Sequence, residues 1–189
     1  MSENELENLA KVLDEKEIPA LVEALGSSKD EIRYPAFLLL RSLCRVRADL
    51  YPYWDTFADR LGSDNSYQRT IGLVMLAGNA QWDIHNKMDG VIERYLSLLD
   101  DEKAPTVRQC IQSIADILPC KKHLHGMIAD KLMSVNISER KETQRRLVLK
   151  DILGILLQMQ RLGQDERISI YIEETRKNLD KKTEKELFG

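Results

Sequence analysis

LGSDNSYQRTIGLVMLAGNAQWD, residues 61–83, decides the fold, because its outline occurs once before it in the chain and twice after it. Each copy reads as the end of one helix, a polar turn, an Arg at the start of a second helix, and an apolar run of about three turns. Aligned on that Arg, the copies place Arg33, Arg69, Arg108 and Arg146 in register, 36, 39 and 38 residues apart. Such periods belong to arrays of helix pairs. Positions two, three, six, seven and ten after each Arg are Pro35, Ala36, Leu39, Leu40, Leu43; Ile71, Gly72, Met75, Leu76, Asn79; Cys110, Ile111, Ile114, Ala115, Leu118; and Val148, Leu149, Ile152, Leu153, Leu156. Only Asn79 breaks this apolar stripe, so four second helices are expected to bury equivalent faces, the condition for a short solenoid.

The rest of the chain suits this reading. Its 189 residues are 43% apolar, 31% charged and only 6% aromatic, with few Gly and Pro, a composition that favours long helices over strands. The expectation is one all-α domain: a capping helix within 1–16, helix pairs over 17–48, 50–83, 86–119 and 121–162, and a final helix with a charged, frayed tail over 163–189. Gly26 is expected to cap a helix in a conformation tolerant of positive φ. Pro35 is expected in the first turn of its helix, where its missing N–H costs nothing.

A net charge of −3 and a pI near 5.7 run against the basic footprint of a general nucleic-acid binder. The charge is uneven. Residues 1–32 hold nine acids against three Lys, and residues 137–189 hold twelve Lys/Arg against ten acids. No apolar run approaches a membrane span, the first fifteen residues lack a signal-peptide pattern, and three scattered Cys do not make a disulfide framework. The expectation is a cytoplasmic chain that uses no membrane and no cofactor.

LGSSKDEIRYPAFLLLRSL, LGSDNSYQRTIGLVMLAGN and LDDEKAPTVRQCIQSIADI resemble HEAT and armadillo-type repeats over about residues 16–160. The resemblance implies a right-handed α-α superhelix with the second helices on its concave side. NSYQRTIGLVMLAGNAQWD, VRQCIQSIADIL and LVLKDI also resemble a group of small bacterial proteins labelled SufBD. That label implies iron–sulfur cluster assembly, although the scaffold proteins of that name are β-helical.

If the second helices line a working face, the side opposite the buried stripe carries it, at positions one, four, five, eight and twelve after each Arg. Tyr34, Phe37, Leu38, Arg41 and Arg45 begin this face. Thr70, Leu73 and Val74 continue it, followed by Gln109, Gln112, Asp116, Leu147, Lys150 and Asp151. Phe37, Leu38, Arg41, Arg45, Leu73, Val74, Gln112, Asp116 and Lys150 are the expected partner contacts, apolar anchors first. Alternatively the acidic first helix folds over Phe37, Leu38, Leu73 and Val74. The function expected is a non-enzymatic adaptor that holds a protein or peptide segment or a second copy.

The opposing reading starts from Trp82 and Asp83, with Trp54 and Asp55 in the same repeat. Aromatic plus carboxylate resembles the alkylpurine DNA glycosylases built from HEAT-like repeats. That resemblance implies a repair enzyme using Trp82 and Asp83. The plainer expectation makes Trp82 a wedge between repeats, with Asn79 and Asp83 as turn caps. Cys120, His123 and His125 form C-x-x-H-x-H, one ligand short of a closed zinc site. The four register Arg residues are expected to bond turn carbonyls or turn acids such as Asp30, Asp64 and Asp101.

Overall fold

The computed structural model describes residues 2–189, and among them it has eleven α-helices and no strand. Two compact units divide the chain, one ending at Tyr95 and the other running Leu96–Gly189. The first holds α1 (Glu3–Val12), α2 (Ile18–Ala24), α3 (Asp30–Val46), α4 (Trp54–Arg60) and α5 (Ser66–Asn79), and α6 (Lys87–Ser97) contains the boundary. The second holds α7 (Ala104–Ile117), α8 (His125–Met133), α9 (Glu142–Leu162), α10 (Glu166–Arg176) and α11 (Lys181–Phe188). Single turns of 3-10 helix precede α2, α4, α8 and α9 and follow α5 and α6.

The apolar stripe lies inside. Of its twenty positions only Pro35 is exposed, and Leu39, Ala115 and Leu149 are half-buried. In the first unit α3 packs on α2 and α5, and α5 on α4, closing over Leu40, Leu43, Trp54, Phe57, Met75 and Leu76. In the second, α9 packs on α7, α8, α10 and α11, closing over Val107, Ile111, Ile114, Leu132, Ile152 and Leu156. Full burial of each large side chain of this kind stabilises by roughly 1.5–3 kcal/mol, so the period of the stripe sets the pairing.

The turns inside the first two helix pairs close in closely similar ways. Gly26 and Ser27 donate backbone N–H groups to Glu23 O and Ala24 O, and Gly62 and Ser63 to Asp59 O and Arg60 O, the same tightened i→i−3 closure; just before it Leu25 keeps an i→i−4 bond to Leu21 O where Leu61 already bonds Ala58 O. Ser27 Oγ accepts from Lys29 N at 3.1 Å, and Ser63 Oγ from Asn65 N at 3.2 Å. Six residues on, Arg33 donates to Ser27 O at 2.9 Å and Arg69 to Ser63 O at 2.8 Å. The motif Leu-Gly-Ser-(five residues)-Arg is thus a self-satisfying turn: the guanidinium takes up a carbonyl that the ended helix leaves unpaired.

Four details differ from expectation. No described Gly has positive φ, so Gly26 does not use its left-handed freedom; the one positive φ among the described residues belongs to Asn86, at 54°. α3 starts at Asp30, so Pro35 sits inside the helix, in its second turn; it forfeits a bond to Glu31 O, and both residues are solvent-exposed. Arg108 and Arg146 do not serve their own turns. The third turn is one residue longer, and Arg140 reaches back to it instead, donating to Leu99 O and Asp101 O. Arg145 closes the fourth turn through Ser138 O and Arg140 O. Finally, residues 181–188 of the expected frayed tail form α11, started by Asp180, whose Oδ1 accepts from Lys182 N and Thr183 N at 3.0 Å each.

Candidate functional site

Helices α3 and α5 lie side by side, and a cleft of about 270 Å³ opens between their first two turns. Asp30, Arg33, Tyr34, Phe37, Tyr67, Thr70 and Ile71 line it. Tyr34 and Tyr67 are 57% and 63% exposed, large apolar rings that the fold leaves in water. Phe37 is half-buried between them and the core. Arg33 forms the floor. Its guanidinium is held by Ser27 O and by Asp30 at 2.8 Å, and lies 4.8 Å from the Tyr67 ring centroid. The cation lies over the ring face, where the ring quadrupole attracts it.

The second unit has a cleft at the same register between α7 and α9, about 460 Å³ in volume. Pro105, Arg108, Gln109, Gln112, Gln144 and Leu147 line it. Relative to the register Arg of each helix, Arg33, Tyr34 and Phe37 correspond to Arg108, Gln109 and Gln112, and Tyr67 corresponds to Gln144. The backbone arrangement therefore recurs with aromatic walls in one unit and amide walls in the other. Here Arg108 donates to both oxygens of Asp151, at 2.6 and 3.3 Å, and Gln112 donates to Asp151 at 3.2 Å. The hydrogen bond to Asp151 holds the Arg108 guanidinium above its usual pKa.

The expected contact residues divide into open, occupied and buried. Leu73 and Val74, expected among the partner contacts, are instead 0% and 5% exposed: α5 is buried without a break from Ile71 to its end at Asn79, so no apolar groove opens there. A helix apolar all round is covered all round, and this one has α3 and α4 against it. Helix α1 packs on α3. Its Glu3 pairs with exposed Arg45 at 2.6 Å, and Arg47 holds its end through Ala10 O and Leu13 O. Leu38 and Arg41 are half-buried, with the Arg41 guanidinium 6.0 Å from the Phe37 ring centroid. Gln112 and Asp116 are exposed on α7, and Lys150 on α9 is paired with Glu186 of α11 at 2.5 Å.

Trp82 and Asp83 are both engaged within the fold. Trp82 Nε1 donates to Cys44 O at 2.7 Å, with Gln81 Nε2 on the same carbonyl at 2.9 Å, so the ring fastens the end of α5 to α3. Buried Asp83 caps α6: it accepts from Lys87 N at 2.8 Å, Met88 N at 2.9 Å and Tyr51 Oη at 2.8 Å. Burial, followed by the hydrogen bond to Asp83, raises the Tyr51 phenol. His125 Nε2 lies 2.8 Å from Leu118 O, and Cys120 Sγ lies 3.7 Å from Asp116 O, so each of these is engaged with the preceding helix.

Tyr67, which stands in the stretch that defines the repeat, is not among the contacts expected from the sequence. The signal was a Tyr two residues before a register Arg, facing the neighbouring helix rather than outward from its own. Comparison of the chain with protein-family models, curated proteins and solved structures finds no significant match.

Proposed function

We propose that this chain is a non-enzymatic adaptor, a short HEAT-like superhelix whose neighbouring second helices present side-chain clefts to a protein segment. The aromatic cleft of Tyr34, Phe37 and Tyr67 carries the reading. Two exposed Tyr rings and an Arg held from behind are the residue types that dominate protein interfaces, since each supplies large contact area with few rotors to order. The cleft accepts an apolar side chain, and the exposed Asp30 carboxylate at its rim favours a neighbouring cation or amide. The three cysteines are not joined in disulfides, and Cys120 is exposed; this suits a reducing compartment, and we place the protein in the cytoplasm. Among the described residues no helix is long and apolar enough to cross a membrane.

The test is affinity capture with wild type and Tyr34→Ala/Tyr67→Ala in parallel. Both rings are exposed, so the double variant keeps the fold. Loss of a partner present with wild type is expected, and identical captured sets would remove the site.

A further inference from the structure

Helix α11 lies on α9 and is held there mostly by charge. Arg146 donates to Thr183 Oγ1 at 2.7 Å and lies 3.3 Å from Asp180 and 3.7 Å from Glu186; Lys150 pairs with Glu186 at 2.5 Å. Thr183 is the one buried residue of α11, while Leu187 and Phe188 stay half-exposed. Arg176 of α10 adds an ion pair to Glu184 at 3.0 Å and lies against the Phe188 ring. Its lysines, Lys181, Lys182 and Lys185, are exposed. Exposed ion pairs hold weakly and are screened by salt, and a helix with so little burial opens at low free energy. Once it opens, Arg146 and Lys150, one turn apart beside half-exposed Leu147, present two cations and an apolar edge with no carboxylate of α11 against them.

We propose that the Arg146–Lys150 stripe of α9 is a receptor for an acid-faced helix of a partner protein, kept filled in the free chain by α11. Charge complementarity and the helix already seated there select the occupant: a short helix with a capping Asp and a Glu six residues on. Partner and α11 compete for one surface, so binding releases residues 178–189. The inference shares with the adaptor reading only the premise that the chain binds protein, and it uses a different surface in a different unit.

The test offers a fluorescein-labelled peptide of residues 178–189 in trans to two full-length proteins, wild type and Asp180→Lys/Glu186→Lys, whose own α11 is repelled by Arg146 and Lys150. An intramolecular occupant competes at an effective concentration in the millimolar range, so the repelled variant is expected to bind the peptide at least about tenfold more tightly than wild type. That binding weakens with salt and is lost when Arg146→Gln/Lys150→Gln is added. Far-UV circular dichroism confirms that each variant keeps its remaining helices. Equal binding to both proteins, no binding to either, or binding that survives the Gln substitutions overturns the proposal. None of these results touches Tyr34 or Tyr67, so the aromatic cleft stands or falls separately.

Discussion

Replacing Gly78 by Ala is expected to loosen the α3–α5 contact on which the aromatic cleft depends. An added Cβ would stand 2.8 Å from Cys44 Cβ and 3.5 Å from its Sγ, a separation that packed carbons do not reach. Alanine brings about 1 kcal/mol of helix propensity in its favour. Against that, overpacking a core contact costs about 1–3 kcal/mol. The shift it forces also stretches the bonds that Trp82 and Gln81 donate to Cys44 O, at 2.7 and 2.9 Å, and the Asn79 contact to Cys44 Sγ at 3.1 Å, each contributing about 1 kcal/mol. The net expectation is a loss of about 1–3 kcal/mol. Urea denaturation followed by tryptophan fluorescence reads this unit selectively, since the chain's two Trp, at 54 and 82, both lie in it. Gly90, in α6 with nothing within 4 Å of its added Cβ, is the control, and Gly90→Ala should raise the midpoint. If Gly78→Ala matches or exceeds wild type in stability, the close approach of α3 and α5 described here is wrong.

Other outcomes follow from the same contacts. Arg33→Ala leaves Ser27 O without its charged donor beneath a largely buried position and should cost about 2 kcal/mol, measurable as a lower urea midpoint. Asp180 and Glu186 are held below the usual carboxylate range, Asp180 first by Thr183 hydrogen bonds and then by Arg146, and Glu186 first by the hydrogen bond from Lys150 and then by Lys150 and Arg146 charge. Groups whose folded pKa is depressed stabilise above their ordinary values and lose that contribution as pH falls through the folded ones. Amide exchange in residues 180–188 should therefore accelerate, relative to α9, as pH falls below about 4, after correction for the intrinsic rate. An alkylated or abasic DNA duplex should show no salt-sensitive retention in a filter-binding assay, and retention that falls steeply with salt would favour the repair-enzyme reading.

The repeat was legible because its physics is local and periodic. An Arg six residues after a Ser reads as a turn closure in the first two pairs, where Arg33 and Arg69 behave alike. The third turn carries one more residue, and that insertion sends Arg108 across to Asp151 while Arg140 returns from elsewhere in the chain; spacing alone does not reveal such an exchange. Burial of Leu73 and Val74 was recoverable in principle, since the run from Ile71 to Ala80 contains a single polar side chain. Treating each second helix as having one free face hid this, because α5 is enclosed by helices on both sides. Tyr67 is hidden from a single-helix pattern for the complementary reason: the cleft belongs to two helices, and periodicity along one does not show what faces the other. Asp180 carried a standard cap signal for α11 that the surrounding lysines obscured.

The adaptor reading is tested most directly by site-specific photo-cross-linking in cells, with a benzoyl-phenylalanine in place of Tyr67 and, separately, of Ile84. Ile84 is 81% exposed and lies outside the cleft, so it reports what any accessible apolar position captures. A discrete protein adduct from position 67 that is absent from position 84 and diminished by Tyr34→Ala is the predicted result. The same adducts from both positions, or none from 67 while 84 labels, would contradict a protein-binding cleft between α3 and α5.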